Sequence, residues 1–114
     1  MDSIEISVFR VSPDGKNLEM IFSCPEDFYF SSFMLEVKTL GDKDQIVSQF
    51  FDLSPALFIN TVEDPTVCPT VYKKEWSVIL PLEKLGITEP AMYNATFKAE
   101  YMYDEYGYPF LYND

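Results

Sequence analysis

The sequence predicts an all-β fold, an antiparallel Greek-key sandwich of about seven strands, and three observations lead there. Apolar and polar residues alternate over most of the chain, which is the period of half-buried strands. Short clusters of Pro, Gly, Asp and Asn interrupt that alternation at intervals typical of hairpins. Helical spacing is confined to "LEKLGI", one turn at most, closed by Gly86. With 114 residues, 47% of them apolar and 17% aromatic, the chain fits one folded domain over residues 1–114 rather than a disordered segment.

The first strand is expected over Ser3–Val11, where the apolar parity flips near Val8, from Ile4 and Ile6 to Phe9 and Val11. Such a flip marks a bulge or a strand that changes sheets. "SPDGK" supplies Pro13 to fix φ and Gly15 to relieve the exit, so a tight turn joins this strand to Asn17–Cys24. In that second strand Leu18, Met20, Phe22 and Cys24 share one face, and Pro25 ends it. A third strand over Phe28–Leu40 turns Phe33, Leu35 and Val37 inward and Glu36 and Lys38 outward, after a change of phase at Ser31 and Ser32. "GDKDQ" turns the chain into Gln45–Leu53. Residues 54–72 fit neither period, contain Pro55, Pro65 and Pro69, and are expected to form a long connecting loop. Lys73–Leu80 follows with Trp76, Val78 and Leu80 on one face. Ala91–Asp104 is the clearest strand, with Tyr93, Ala95, Phe97, Ala99, Tyr101 and Tyr103 on one side. "DEYGY" then turns into a short last strand, Tyr108–Asn113.

The stretch from Leu80 through "PLEKLGITEPAMYNATFKAEY" resembles the crossover corner of immunoglobulin-like and fibronectin type III domains. There a tyrosine near the start of the sixth strand bonds back to the preceding loop. The resemblance implies an immunoglobulin-like sandwich in which the Tyr93 hydroxyl reaches backbone near Leu85 to Ile87. Two features differ from the family pattern: Trp76 lies in the fifth strand, and the sixth strand has no cysteine to bridge to Cys24.

Composition narrows the chemistry. The chain has no histidine, which removes Ser-His-Asp and Cys-His catalysis, imidazole metal sites and the usual neutral-pH proton shuttle. Cys24 and Cys68 form no Cys-x-x-Cys pair, and without a signal segment they are expected as thiols. The four glycines make no phosphate-binding pattern. Carboxylate pairs at Asp42 and Asp44, Glu63 and Asp64, and Asp104 and Glu105 never extend into a calcium loop, so they read as solvated turns. No catalytic residue, metal ligand or cofactor is expected, and a hydrolase working through acid pairs ranks last. A charge of −11, from 19 acidic against 8 basic residues, opposes nucleic acid and anionic membranes as partners. No apolar run approaches the about 20 residues of a spanning helix, and "MDSIEISVF" lacks the basic and apolar segments of an export signal.

What remains is contact with other proteins. Tyr106, Tyr108, Phe110 and Tyr112 crowd a last hairpin that a small domain can hardly bury alone, and tyrosine supplies contact area at little entropic cost. Leu57, Phe58 and Ile59, within "ALFIN", either plug one end of the sandwich or dock on a neighbour. In general character, a short, acidic, histidine-free and aromatic-rich sandwich resembles the small decoration, neck and tail proteins of tailed-bacteriophage virions. That likeness implies a non-enzymatic structural or adaptor subunit of a homo- or hetero-oligomeric assembly, located in the virion after assembly in the host cytoplasm. The alternatives are a cytoplasmic location and a carbohydrate- or peptide-binding module built on the surface tyrosines.

Overall fold

A computed structural model describes residues 4–25, 33–41, 45–50, 56–64, 66, 68, 71–99, 102–103 and 106–113. Among these, nine strands form two antiparallel sheets: β1 Glu5–Val11, β2 Asn17–Pro25, β3 Met34–Thr39, β4 Ile46–Phe50, β5 Ala56–Asp64, β6 Val71–Pro81, β7 Ala91–Ala99, β8 Met102–Tyr103 and β9 Tyr108–Tyr112. One sheet, here sheet A, has the order β1-β2-β6-β5, and the other, sheet B, has β4-β3-β7, with β8 and β9 both pairing with β7. The chain crosses between sheets after β2, β4 and β6. That order is the ABED/CFG arrangement of the immunoglobulin sandwich with one strand added beside β3.

The core forms where unbroken alternation meets alternation. Leu18, Met20, Phe22 and Cys24 of β2, Leu35 and Val37 of β3, Val78 and Leu80 of β6, and Tyr93, Ala95 and Phe97 of β7 are all buried, as their spacing predicts. Phe22 from sheet A packs against Phe97 from sheet B with ring centroids 4.8 Å apart, and Phe33 stacks on Phe97 at 5.4 Å. These three rings tie the two layers together. Each is worth about 3–5 kcal/mol against alanine at a fully buried site.

The first hairpin closes as its residue types demand. Gly15 takes φ 76°, the Gly15 N–H donates to the Ser12 carbonyl at 2.8 Å, and the Asp14 carboxylate accepts from the Lys16 N–H at 3.0 Å. The parity flip near Val8 is a register shift between Ile6 and Val8 against β2. At the other crossover, Glu83–Leu85 makes a single 3-10 turn that buries Leu85 and ends at Gly86 with φ 80°. Leu82 and Ile87 are buried on either side of that turn, so it plugs one end of the sandwich.

Three expectations are corrected. The segment 54–72 is not one long loop: Ala56–Asp64 is a nine-residue strand paired with β6, and β6 itself begins at Val71. A register shift between Phe58 and Asn60 breaks its alternation, which is why no single period fits it. The strand expected over Ala91–Asp104 stops at Ala99, and Met102 and Tyr103 already pair back onto Ala99 and Lys98. Tyr103 therefore belongs to the returning strand, while Tyr101 lies outside the described residues. Finally, nine strands replace seven, because β5 is added and the last strand comes in two pieces. The expected phase change at Ser31 and Ser32, and the early part of the third strand from Phe28, lie outside the described residues.

Candidate protein-interaction surfaces

The corner tyrosine is buried, and its hydroxyl donates to the Glu89 carbonyl at 2.6 Å. The bond is to the residue four positions upstream, not to the Leu85–Ile87 stretch. The 3-10 turn uses its own carbonyls, with the Gly86 and Ile87 N–H groups bonded to Glu83 and Leu82, and directs its buried side chains into the core. The Tyr93 ring stacks on Phe110 at 5.7 Å and 24°. Burial, then the negative charge of Glu89, then Tyr112, push its phenol above the ordinary tyrosine value.

The four aromatic residues expected at an interface separate into two groups. Tyr108, Phe110 and Tyr112 share one parity on β9 and lie opposite Ala95, Tyr93 and Ala91, all on the inner side of β7. Phe110 is only 7% exposed and belongs to the core, so its assignment to a contact surface is corrected. Tyr112 packs half-buried against that core. Tyr108 is half-buried and stacks on Phe9 of β1 at 5.1 Å, with Phe110 5.8 Å from the same Phe9 ring. These contacts join β1 to β9 and close one long side of the sandwich. Tyr106 is the exception, 70% exposed. It sits beside Gly107, whose place is set by a close approach: a Cβ there would come within 2.6 Å of the Asn94 side-chain amide.

The opposite side of sheet A is different. Strand β5 pairs with β6 and, among the described residues, has no strand on its other side. Phe58 and Ile59 are 52% and 47% exposed, and Val62 is exposed too. Phe58 touches Trp76 edge-on at 5.6 Å, so it shields the indole while presenting its other face outward. Leu57 pairs with Ser77 through the backbone, and its side chain lies outside the described residues.

A further apolar feature escapes sequence reasoning. Leu40, Ile46, Met92 and Leu111 are all exposed on the outer face of sheet B. Met92 and Leu111 occupy positions whose parity assigns them to solvent, and an apolar residue at an outward position of an otherwise well-patterned strand is the signal that would have found them.

Sheet A also carries an open groove of about 590 Å³ between β1 and β5, lined by Glu5, Ser7, Ser23, Val62, Lys73 and Glu75 among others. Its Lys73 ammonium is 3.1 Å from Glu5. Among the described residues no group of His, Cys, Asp or Glu is placed to hold a metal ion, and none of the helices is long and apolar enough to cross a membrane. Cys24 is buried and Cys68 exposed, and neither is in a disulfide. Burial raises the Cys24 thiol above its ordinary value, which the neighbouring Trp76 only partly offsets. No protein-family model matches the chain, and comparison with curated proteins finds no match.

Proposed function

We propose that the chain is a non-enzymatic structural or adaptor subunit of a larger protein assembly, and that it takes up an extended strand of a neighbouring subunit along β5. The observation that carries this reading is the character of that edge. Natural sheets protect their edges with lysine, proline, bulges or short strands, because unpaired backbone groups invite another chain. Strand β5 is nine residues long, has no Lys or Pro within it, carries a single register shift between Phe58 and Asn60, exposes Phe58, Ile59 and Val62, and has no strand on its other side among the described residues. Main-chain pairing would supply affinity at such an edge, and pockets for alternate side chains would supply selectivity. Exposed Tyr106 offers a second point of attachment.

The virion of a tailed bacteriophage, with this chain as a decoration, neck or tail component, is the assembly suggested by the general resemblance of the sequence. A peptide-binding module is the second reading, and the same edge favours it over a carbohydrate platform, since Tyr108 already stacks on Phe9. Hydrogen exchange tests the assembly reading. Amides of residues 56–64 should exchange at least about tenfold more slowly in the assembled particle than in the isolated subunit. Equal exchange in the two states, or a subunit that stays monomeric by native mass spectrometry with its candidate partner chains present, would overturn it.

A further inference from the structure

The open groove on sheet A sets the chemistry of the strand that β5 accepts. On the footing of the assembly reading, we propose that the neighbour's strand is basic and belongs to a protein other than this chain, and that one of its lysine or arginine side chains crosses Val62 to meet Glu75 in the groove. Register places the site. Ser23 stands between buried Phe22 and Cys24, so it faces away from the core, and its cross-strand partners are Glu5 on one side and Glu75 on the other. Glu75 pairs in turn with Asn60 of β5, and Lys73 pairs with Val62. The groove of about 590 Å³ touches all four strands of the sheet and reaches the β5 margin at Val62 and Glu63. The register shift of β5 ends at Asn60, so residues 60–64 offer consecutive ladder positions beside the groove.

Charge chooses the occupant. The described lining of the groove sets three carboxylates, Glu5, Glu63 and Glu75, against one cation, Lys73. Lys73 is already held 3.1 Å from Glu5. Glu75 is half-buried and Glu63 exposed, and neither has an ion pair among the described residues. A half-buried carboxylate is screened less than one in open water, so a cation brought to Glu75 is held more firmly than one brought to an exposed acid. Strand β5 itself contributes Glu63 and Asp64 and no Lys or Arg, so an acidic strand would meet like charge along the same edge. A second copy of this chain, at −11, is rejected on the same ground, whereas a basic protein is drawn in from a distance. Reach agrees with charge. A strand added beyond β5 lies about 10 Å from β6, two strand spacings, and a long side chain is needed to span that gap toward Glu75. Exposed Val62 lies under its path, an apolar bed for the methylene stem of lysine or arginine.

Synthetic peptides of about nine residues, the length of β5, test this: threonine alternates with lysine in one, with glutamine in a second and with glutamate in a third, all with blocked ends. Fluorescence anisotropy gives their affinity for the full chain at about 0.05 and 0.5 M salt, and hydrogen exchange gives the place of binding. The lysine peptide should bind at least about tenfold tighter than the glutamine one in low salt, slow exchange across residues 60–64, and lose most of that margin in high salt. The glutamate peptide should not bind. Glu75→Gln combined with Glu63→Gln should remove most of the lysine preference at an unchanged melting temperature, whereas Glu83→Gln on the 3-10 turn should leave it unaltered. Lysine and glutamine peptides that protect residues 60–64 equally would overturn the basic partner and leave strand addition at β5 standing. A lysine preference that survives the double substitution, or that comes without protection of residues 60–64, would overturn the groove as its site. Should no peptide slow exchange in β5, the basic partner falls as well, and strand addition is then judged by the exchange of residues 56–64 in the assembled particle.

Discussion

Replacing Tyr93 with phenylalanine isolates the corner bond, because the ring keeps its stack on Phe110 and only the hydroxyl is lost. The hydroxyl lies 2.6 Å from the Glu89 carbonyl in a residue that is 3% exposed, so a well-made bond disappears from the edge of the core. Glu89 is itself exposed, and water can satisfy its carbonyl once the tyrosine oxygen is gone. The cost is therefore that of an ordinary hydrogen bond, about 1 kcal/mol, rather than the larger penalty of a buried acceptor left unpaired. At about 2.1 cal/mol/K per residue, a chain of 114 residues has an unfolding entropy near 0.24 kcal/mol/K, so Tm should fall by about 4 °C. Calorimetry at pH 8 measures this, with Tyr93→Ala as a reference expected to lose about 3–5 kcal/mol through its cavity.

A pH arm separates the hydroxyl from any packing change. The folded phenol is raised above its ordinary value, chiefly by burial, so the folded state holds that proton more tightly than the unfolded state. The stabilisation is complete below the unfolded tyrosine value near 10 and is lost as pH climbs through the folded value. The gap in Tm between wild type and Tyr93→Phe should accordingly narrow between pH 8 and pH 11. A variant melting within 1 °C of wild type at pH 8 would refute the account of the corner, and so would a gap that widens with alkali.

Three other outcomes are expected. Ellman's reagent should titrate one thiol rapidly in the folded protein, exposed Cys68, and a second only in denaturant, because buried Cys24 holds its proton; two fast thiols would contradict this. Phe110→Ala should cost about 3–5 kcal/mol in urea unfolding whereas Tyr106→Ala should cost less than about 0.5, which places the first in the core and the second on the surface. The Asp14 carboxyl, held below its ordinary value first by the Ser12 hydroxyl and then by the Lys16 N–H, should titrate by NMR below the 3.8 of a free aspartate. Its contribution is present above the unfolded value and disappears as pH falls through the folded one, and Ser12→Ala should return the midpoint toward 3.8.

Strands β2, β3 and β7 are legible in the sequence because each buries one face only, and a single uninterrupted parity runs through the part that reaches the core. The bulge at Val8 is legible for the same reason, as a visible break in parity. Strand β5 is not: its own bulge sits in the middle of "ALFIN", and the prolines on either side mimic a loop. The reversal after Ala99 is hidden because "KAEYMY" has no turn residue and keeps the parity of Tyr93 through Tyr101 and Tyr103. The last strand could have been read further. Tyr108, Phe110 and Tyr112 alternate together, so they must face one way, and that is the way Ala95, Tyr93 and Ala91 of the neighbouring β7 face. The exposed apolar residues of sheet B lie far apart in the chain, and they become a surface only once their register is known.

The Phe9 ring held against Tyr108 and Phe110 makes the two margins of the body unequal. At the β1 margin an arriving strand meets rings that bridge to the other layer, whereas at the β5 margin no such bridge stands among the described residues. Growth of sheet A is therefore sterically easier past β5 than past β1, and the clasp gives the layer a preferred direction of extension.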